Sequence, residues 1–400
     1  MIELLAPAGD LERLKTAILY GADAVYIGGK KFSLRARASN FELKDIREGC
    51  EFAHSHGAKV YVTMNIVPHD SDFEGLEDYL LALDSFGVDG IIVTSFKIAE
   101  VAKRLVPRIE RHLSTQFSVS NSETIEYLRK WGFSRFVLAR EVGLEQIRQI
   151  RSKTETDLEV FIHGGMCVSF SGRCMLSNHM TNRDANRGGC AHSCRWNYSL
   201  FSDGKNLNLD DVSFSMGSRD LCAVSAIPEL IDLGVKSLKI EGRMKSLYYI
   251  ATVVRGYRML IDDYLKNPKN FDVSKYKDEI AKAENRATGT GFLFHRPGAS
   301  EQVYNNESLM PTKEFIGLVL DYDPKTQRAT VQERNYFEIG DEIEFFGPKS
   351  ENQRMIIREM GDETTDHLVA ARHALQVVKM KVDFPVSSGD MIRKLPRTKC

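Results

Sequence analysis

The sequence predicts an α/β protein: a (β/α)8 TIM-like barrel with a long Cys-rich loop after strand seven, followed by a small C-terminal β-barrel domain. Three observations predict it. Eight short β-rich runs alternate with amphipathic helical runs over roughly 250 residues, the length and count of such a barrel. Several helical runs end in a Gly just ahead of the next strand, namely Gly21, Gly57, Gly87, Gly132 and Gly234. From about Phe315 the pattern changes to short strands and turns. A doubly wound open sheet is the alternative, and the count of eight favours the barrel.

The strand candidates, in order, are Ile2–Ala6, Ala24–Gly28, Lys59–Asn65, Gly90–Thr94, Ile109–Ser114, Arg135–Ala139, Glu159–His163 and Ser237–Glu241. Between them lie helical patterns such as DLERLKTAILYG, where Leu11, Leu14, Ala17, Ile18 and Leu19 approximate the 3.6 period. Asp10 can cap that helix and Gly21 can end it. One connection breaks the rhythm. From Gly164 to Asp220 no βα repeat appears, and long loops in compact domains are usually functional. In a barrel the loop after strand seven leaves the C-terminal face, where active sites form. The domains expected are therefore 1–295, a barrel carrying an insertion over 164–222, then a polar linker over 296–314, then a small β-barrel over 315–400.

That insertion concentrates the thiols. Five of the seven cysteines lie between Cys167 and Cys222, with spacing C-x6-C-x15-C-x3-C from Cys167 through Cys174 and Cys190 to Cys194. The N-terminus has no signal-peptide pattern and no apolar run approaches a membrane span, so a cytoplasmic protein with no membrane partner is expected. In a reducing compartment, grouped thiols point to metal or redox chemistry before disulfides. Soft thiolates select zinc or iron–sulfur clusters. Only Cys190 and Cys194 have the close pairing usual in structural zinc sites. A 4Fe–4S cluster is therefore favoured, with zinc as the rival. Cys50 and Cys400 fall outside the group.

Composition adds little. Net charge is −1, hydrophobic residues make up 42% and charged residues 27%, so bulk electrostatics do not point to nucleic acid. Neither H-E-x-x-H nor G-x-S-x-G occurs, which removes the familiar metalloprotease and serine-hydrolase chemistries. Polar residues at the ends of predicted strands should line the barrel mouth: Asn65, Ser114, Gln116, Arg140, Glu141, His163, Glu241 and Arg243. His163 suits a general acid or base. Glu241 and Arg243 end strand eight, where barrels often bind phosphate or carboxylate, and they join His163 as the catalytic candidates. Arg35, Arg140 and Arg243 can grip a dicarboxylate through bidentate pairs, with Asn65 and Gln116 beside them as substrate-binding candidates. Arg195 and Trp196 can stack on a base.

The run Glu159–Ser177, EVFIHGGMCVSFSGRCMLS, resembles the E-x-F-x2-G-x-[LIVM]-C-x4-G-x-C-x-[LIVM]-S pattern of peptidase family U-32, the collagenase-like proteases. Glu159, Phe161, Gly164, Met166, Cys167, Gly172, Cys174, Leu176 and Ser177 fit it, while Gly165 stands where the family prefers Ser or Ala. LLAPAGD, GADAVYIGG, RDANRGGCAHSCRW, SRDLC and KIEGRMKS extend the likeness over nearly the whole chain. The combination of HGGMC, HMTNRDANRGGC, CRW and a C-terminal β-barrel is most similar to the family's tRNA-hydroxylating branch. The resemblance implies formation of 5-hydroxyuridine at the wobble position of tRNA, with prephenate as cosubstrate. It also implies a 4Fe–4S cluster on Cys167, Cys174 and Cys190. For the fourth ligand, Cys222 matches one branch and Cys194 another. Cys222 is preferred because a helix N-terminus favours thiolate. The alternatives the resemblance leaves are a collagenase-like peptidase and a cluster- or zinc-holding scaffold subunit. Relatives that act in pairs leave a homo- or hetero-oligomer with a family member open.

Overall fold

The computed structural model describes residues 2–34, 40–208, 213–269, 271–283, 286–304, 313–348, 350–363 and 365–395. Arg35 and Cys400 lie outside the described residues. Eight parallel strands form the first domain: β1 Glu3–Pro7, β2 Ala24–Gly28, β3 Lys59–Met64, β4 Gly90–Val93, β5 Glu110–Leu113, β6 Arg135–Val137, β7 Asp157–Gly164 and β8 Ser237–Ile240. Each pairs with its successor, and β8 pairs with both β7 and β1, so the sheet closes. The strands are nearly all buried because helices cover the outside. Asp10 caps the helix Leu11–Leu19 by accepting from the Arg13 N–H at 2.9 Å. The five Gly residues that end helices all have positive φ, from +71° to +109°, a conformation that costs other residues.

The barrel interior departs from the usual layers of branched aliphatics. Its inner apolar cluster is small: Leu5, Ala24, Tyr26, Tyr61 and Ile92. Charged side chains take the remaining inward positions. Arg135 donates to Glu3 at 2.6 Å and to Glu159 at 3.3 Å, and Lys239 donates to Glu159 at 2.7 Å. Tyr61 and Ser237 also donate to Glu3, each at 2.7 Å. A buried charge survives only when paired and hydrogen-bonded, and here each carboxylate has at least two donors.

β7 carries an irregularity that matters for the site. Lys239 pairs with Phe161, but Ile240 pairs with His163, leaving Ile162 as an extra residue. Such a bulge reverses the inward–outward alternation beyond it. After β7 the insertion folds into short helical turns, one helix over Leu176–Thr181 and a hairpin of Phe201–Ser202 with Lys205–Asn206. The chain returns through the short strand Asp220–Cys222, which pairs antiparallel with β7.

The long helix Leu247–Lys266 is buried around most of its circumference. Barrel strands cover one side; the helix Ser274–Ala281 and the second domain cover the other. The second domain is an antiparallel half-barrel. Its seven strands run in the order Gln353–Ile356, Glu342–Phe346, Met391–Lys394, Glu314–Asp323, Arg328–Glu333, Val377–Lys381, Met360–Gly361. It has its own core around Val319, Val331, Ile343 and Ile392. Phe346 and Met391, by contrast, belong to the barrel's core. Across the junction Tyr248 stacks on Phe315, and fully buried Arg393 bonds Glu279 at 2.8 Å and also Glu344.

Candidate functional site

A cavity of about 170 Å3 opens at the C-terminal ends of the strands. Its lining includes Asn65, Ser114, Gln116, Arg140, Glu241 and Arg243, all named from their place at strand ends. Cys167, Cys174 and Cys190 form the wall contributed by the insertion. Tyr26, Thr63, Phe161, Ser171 and Lys239 also line it and were not among the site candidates named from sequence. The signal for Lys239 was available, since it stands two residues before Glu241 on the same strand and so on the same face.

Most of these polar side chains are held by their neighbours. Arg243 is buried and donates to Ser33 Oγ at 3.0 Å, Thr63 Oγ1 at 2.8 Å and Asn40 Oδ1 at 3.2 Å. Asn65 Oδ1 accepts from the Leu34 N–H at 3.2 Å, which ties the loop after β2 to β3. Arg140 donates to the Gly165 carbonyl at 2.8 Å and lies 4.0 Å from the centre of the Phe161 ring. Glu241 accepts from the Gly165 N–H at 3.1 Å. Glu141 does not line the cavity; its carboxylate accepts from the Ser171 N–H and hydroxyl, both at 2.7 Å, and anchors the insertion. Lys239 forms part of the lining while remaining buried. Burial pulls its ammonium pKa below the ordinary lysine value, although Glu159 opposes that shift.

The insertion is fixed at both ends. Gly164 has φ +105°, and a Cβ there would lie 2.5 Å from the Glu241 carbonyl oxygen, so the turn into the thiol loop needs glycine. Arg187 is paired with Asp72 through both guanidinium nitrogens, one at 2.9 Å, and this holds the Asp72 carboxyl down at about 2. Asn186 donates to the Cys174 carbonyl at 3.2 Å, and the Ala191 N–H donates to Ser177 Oγ at 2.9 Å.

Four thiols face one another. Burial pushes the Cys167 thiol up, and the neighbouring Cys174 and Cys190 add to the shift. Burial likewise raises Cys194, with Cys167, Cys190 and Cys174 adding to it against the pull of Arg195. A second hollow behind the first is lined by Cys167, Cys190, Cys194 and Arg195. Among the described residues no three His, Cys, Asp or Glu side chains converge closely enough to hold a single metal ion.

Two residues expected in the site lie elsewhere. His163 is buried against Tyr249 and Tyr257 of the long helix, with ring centres 5.8 Å and 5.6 Å away. Its Nδ1 is 3.3 Å from the Tyr257 hydroxyl, and burial pulls its pKa down to about 3. The bulge in β7 explains this placement, because His163 pairs with outward-facing Ile240. A general acid–base role in the cavity is thereby removed. Cys222 pairs with His163 across the two strands, and its thiol is within hydrogen-bonding reach of the Tyr257 hydroxyl. It is part of the barrel's apolar core and lines neither hollow. The short strand over 220–222, absent from the sequence expectation, is the reason. Cys194, the other candidate for fourth ligand, lines the second hollow with Cys167 and Cys190.

Sequence comparison bears on the same site. A family model described as Peptidase family U32 matches residues 9–303, and one described as Peptidase family U32 C-terminal domain matches residues 311–393. The chain is 49% identical over 398 residues to tRNA hydroxylation protein P1 of Bacillus subtilis, covering 98% of this chain and 94% of that one. It is 39% identical over 328 residues to 23S rRNA 5-hydroxycytidine C2501 synthase of Escherichia coli, covering 79% of this chain and 48% of that one. It is 32% identical over 366 residues to a protein named collagenase from Porphyromonas gingivalis, covering 86% of each. No helix among the described residues is long and apolar enough to cross a membrane.

Proposed function

The chain belongs to peptidase family U32, and from that premise we propose that it is an RNA-modifying enzyme, a hydroxylase acting on tRNA. One observation carries this reading: a single cavity at the barrel mouth joins an anion-binding wall to a wall of thiols. In its finer form, the substrate is the wobble uridine, the product 5-hydroxyuridine, and prephenate the cosubstrate. A 4Fe–4S cluster would sit on Cys167, Cys174, Cys190 and Cys194. The donor set is soft, as an iron–sulfur cluster requires, and only Cys190 and Cys194 have the close pairing usual for structural zinc. When bound, the cluster supplies redox or Lewis-acid chemistry.

The chain's own residues do the rest. Arg140 and Arg243 bind carboxylates, and their fixed partners orient them before the ligand arrives. Phe161 and Tyr26 supply apolar walls that exclude water from the floor. Phe170, Met175 and Trp196 are exposed on the insertion, close in sequence to Arg173 and Arg195. Apolar and aromatic faces next to guanidinium groups suit stacking on single-stranded bases. His163 braces the wall and handles no proton at the substrate.

A peptidase reading has the collagenase-named relative in its favour. It needs an accessible thiol beside a histidine. Cys222 and His163 stand side by side, but both are buried beneath Tyr257. Exposed His192 lines the second hollow with Cys190 and Cys194, the thiols that a cluster would occupy.

The test has two arms. Expression of the chain in a strain lacking 5-hydroxyuridine should restore that nucleoside in digested tRNA, and an unchanged profile would sink the hydroxylase. Anaerobically purified protein should carry about four irons with matching sulfide. That content should fall in Cys174→Ala and Cys194→Ala and persist in Cys222→Ser. A colourless protein holding one zinc would remove the cluster from the reading.

A further inference from the structure

The cavity floor holds a buried primary amine, Lys239, whose side chain is only 4% exposed. Its Nζ is 2.7 Å from Glu159 Oε1. It lies 4.4 Å from the centre of the Tyr26 ring and 5.3 Å from that of Phe161. On the same Phe161 ring, at 4.0 Å, sits the Arg140 guanidinium. Among the described residues Arg140 forms no ion pair with a carboxylate; it donates to the Gly165 carbonyl. An amine with a carboxylate at hydrogen-bonding distance therefore shares an aromatic ring with a guanidinium that has no carboxylate partner. That arrangement matches a ligand bearing a carboxylate next to a reactive carbonyl.

We propose that Lys239 forms a covalent imine with the ketone of an α-keto acid bound in the cavity, with Arg140 holding the keto acid's carboxylate. The proposal deepens the function proposed above, and rests on that reading only for the larger keto acid it would admit. The chemistry balances without a further reagent. The Lys239 ammonium passes one proton to Glu159, and its neutral nitrogen adds to the ketone carbon. The carbinolamine oxygen then leaves as water, taking up the proton held by Glu159 and one from nitrogen. The sum is ammonium plus ketone giving iminium plus water. A deprotonated amine is required for the attack, and burial, which lowers the Lys239 pKa, moves it in the needed direction. Glu159 is fixed relative to the amine by Arg135 at 3.3 Å, and because Lys239 and Arg135 hold its carboxyl below the usual range it keeps the proton only until the departing oxygen takes it.

The test is reductive trapping on the full-length protein, with no RNA present. Protein is incubated with pyruvate or phenylpyruvate and sodium cyanoborohydride, then read by intact mass and peptide mapping. Wild type should gain about one adduct per chain, on Lys239. Lys239→Arg keeps the cation beside Glu159 and should lose the adduct at least about tenfold while unfolding at a similar temperature. Arg140→Gln should need a higher keto-acid concentration for the same yield. Adducts confined to exposed lysines, or an unmodified Lys239 peptide at saturating keto acid, would overturn the proposal. Because trapping needs neither tRNA nor cluster, failure of the hydroxylase reading leaves this result readable, and the reverse also holds.

Discussion

Replacing Arg135 by Met should destabilise the barrel strongly, and more so at neutral than at acid pH. Arg135 is 2% exposed and bonds two carboxylates, Glu3 at 2.6 Å and 3.3 Å and Glu159 at 3.3 Å. Methionine fills much of the volume but leaves both carboxylates short of a cation. Removing one partner of a buried ion pair costs about 3–5 kcal/mol. Tyr61, Ser237 and Lys239 remain as donors, which places the expected loss toward the lower half of that range. For a large domain this corresponds to a melting temperature about 6–10 °C lower. The pH dependence follows from Glu159. Burial alone would push its carboxyl up, but Lys239 and Arg135 together hold it below the usual range. A depressed carboxylate stabilises above its unfolded pKa of about 4.3, and that contribution is lost as pH falls through the folded value. Without Arg135 the depression shrinks. The stability gap between wild type and variant should therefore be widest near neutral pH and narrow as pH falls below about 4.3. Urea unfolding followed by tryptophan fluorescence and circular dichroism at several pH values measures it. A deficit under about 1 kcal/mol at neutral pH, or a gap that stays constant with pH, would refute the argument.

Gly28→Ala places a Cβ 2.2 Å from Arg243 Nη1, so it should displace that guanidinium from Ser33, Thr63 and Asn40; keto-acid binding by calorimetry should weaken and the melting temperature should fall. Arg243→Lys keeps the charge but gives up the fixed fork onto Ser33, Thr63 and Asn40, and should raise KM for the carboxylate ligand about tenfold or more with a smaller change in kcat. Asp72→Asn breaks the clamp on Arg187; limited proteolysis should then cut within 164–222 sooner, with the barrel fragments unchanged. In the wild type that clamp holds above the unfolded aspartate pKa and is lost as pH falls toward about 2, so protection of the insertion should fail only in strong acid.

The eight-strand barrel was legible because each strand candidate is a compact β-rich run and the glycines that close helices have no other common use. All eight candidates overlap an observed strand. The arginine-bearing half of the cavity was legible for a related reason: a polar residue at the C-terminal end of a barrel strand points into the mouth. Two features were not. The bulge at Ile162 leaves no trace in composition, yet it turns His163 from the mouth to the outside. The three-residue strand over 220–222 is too short to show a period, and its pairing with β7 is a long-range event that carries Cys222 under Tyr257. The charged interior was hidden differently. Glu3, Arg135, Glu159 and Lys239 sit inside β-rich runs, where the expectation of aliphatic layers overrides the sign of the charge.

The order of strands in the half-barrel has a consequence for how the polypeptide is made. Met391–Lys394 lies in the middle of that sheet, between Glu342–Phe346 and Glu314–Asp323, although it is the latest of the seven to leave the ribosome. Synthesis from the N-terminus lets the barrel form while this strand is still unmade. Until it arrives, Glu314–Asp323 and Glu342–Phe346 each present an unpaired edge, a template for wrong partners. The same strand brings Arg393, the side chain that meets Glu279 on the first domain. Earlier strands already touch the first domain through Phe315 and Phe346, so a nascent chain stalled before the last strand would be docked but open, its two unpaired edges exposed and Glu279 without its Arg393 partner.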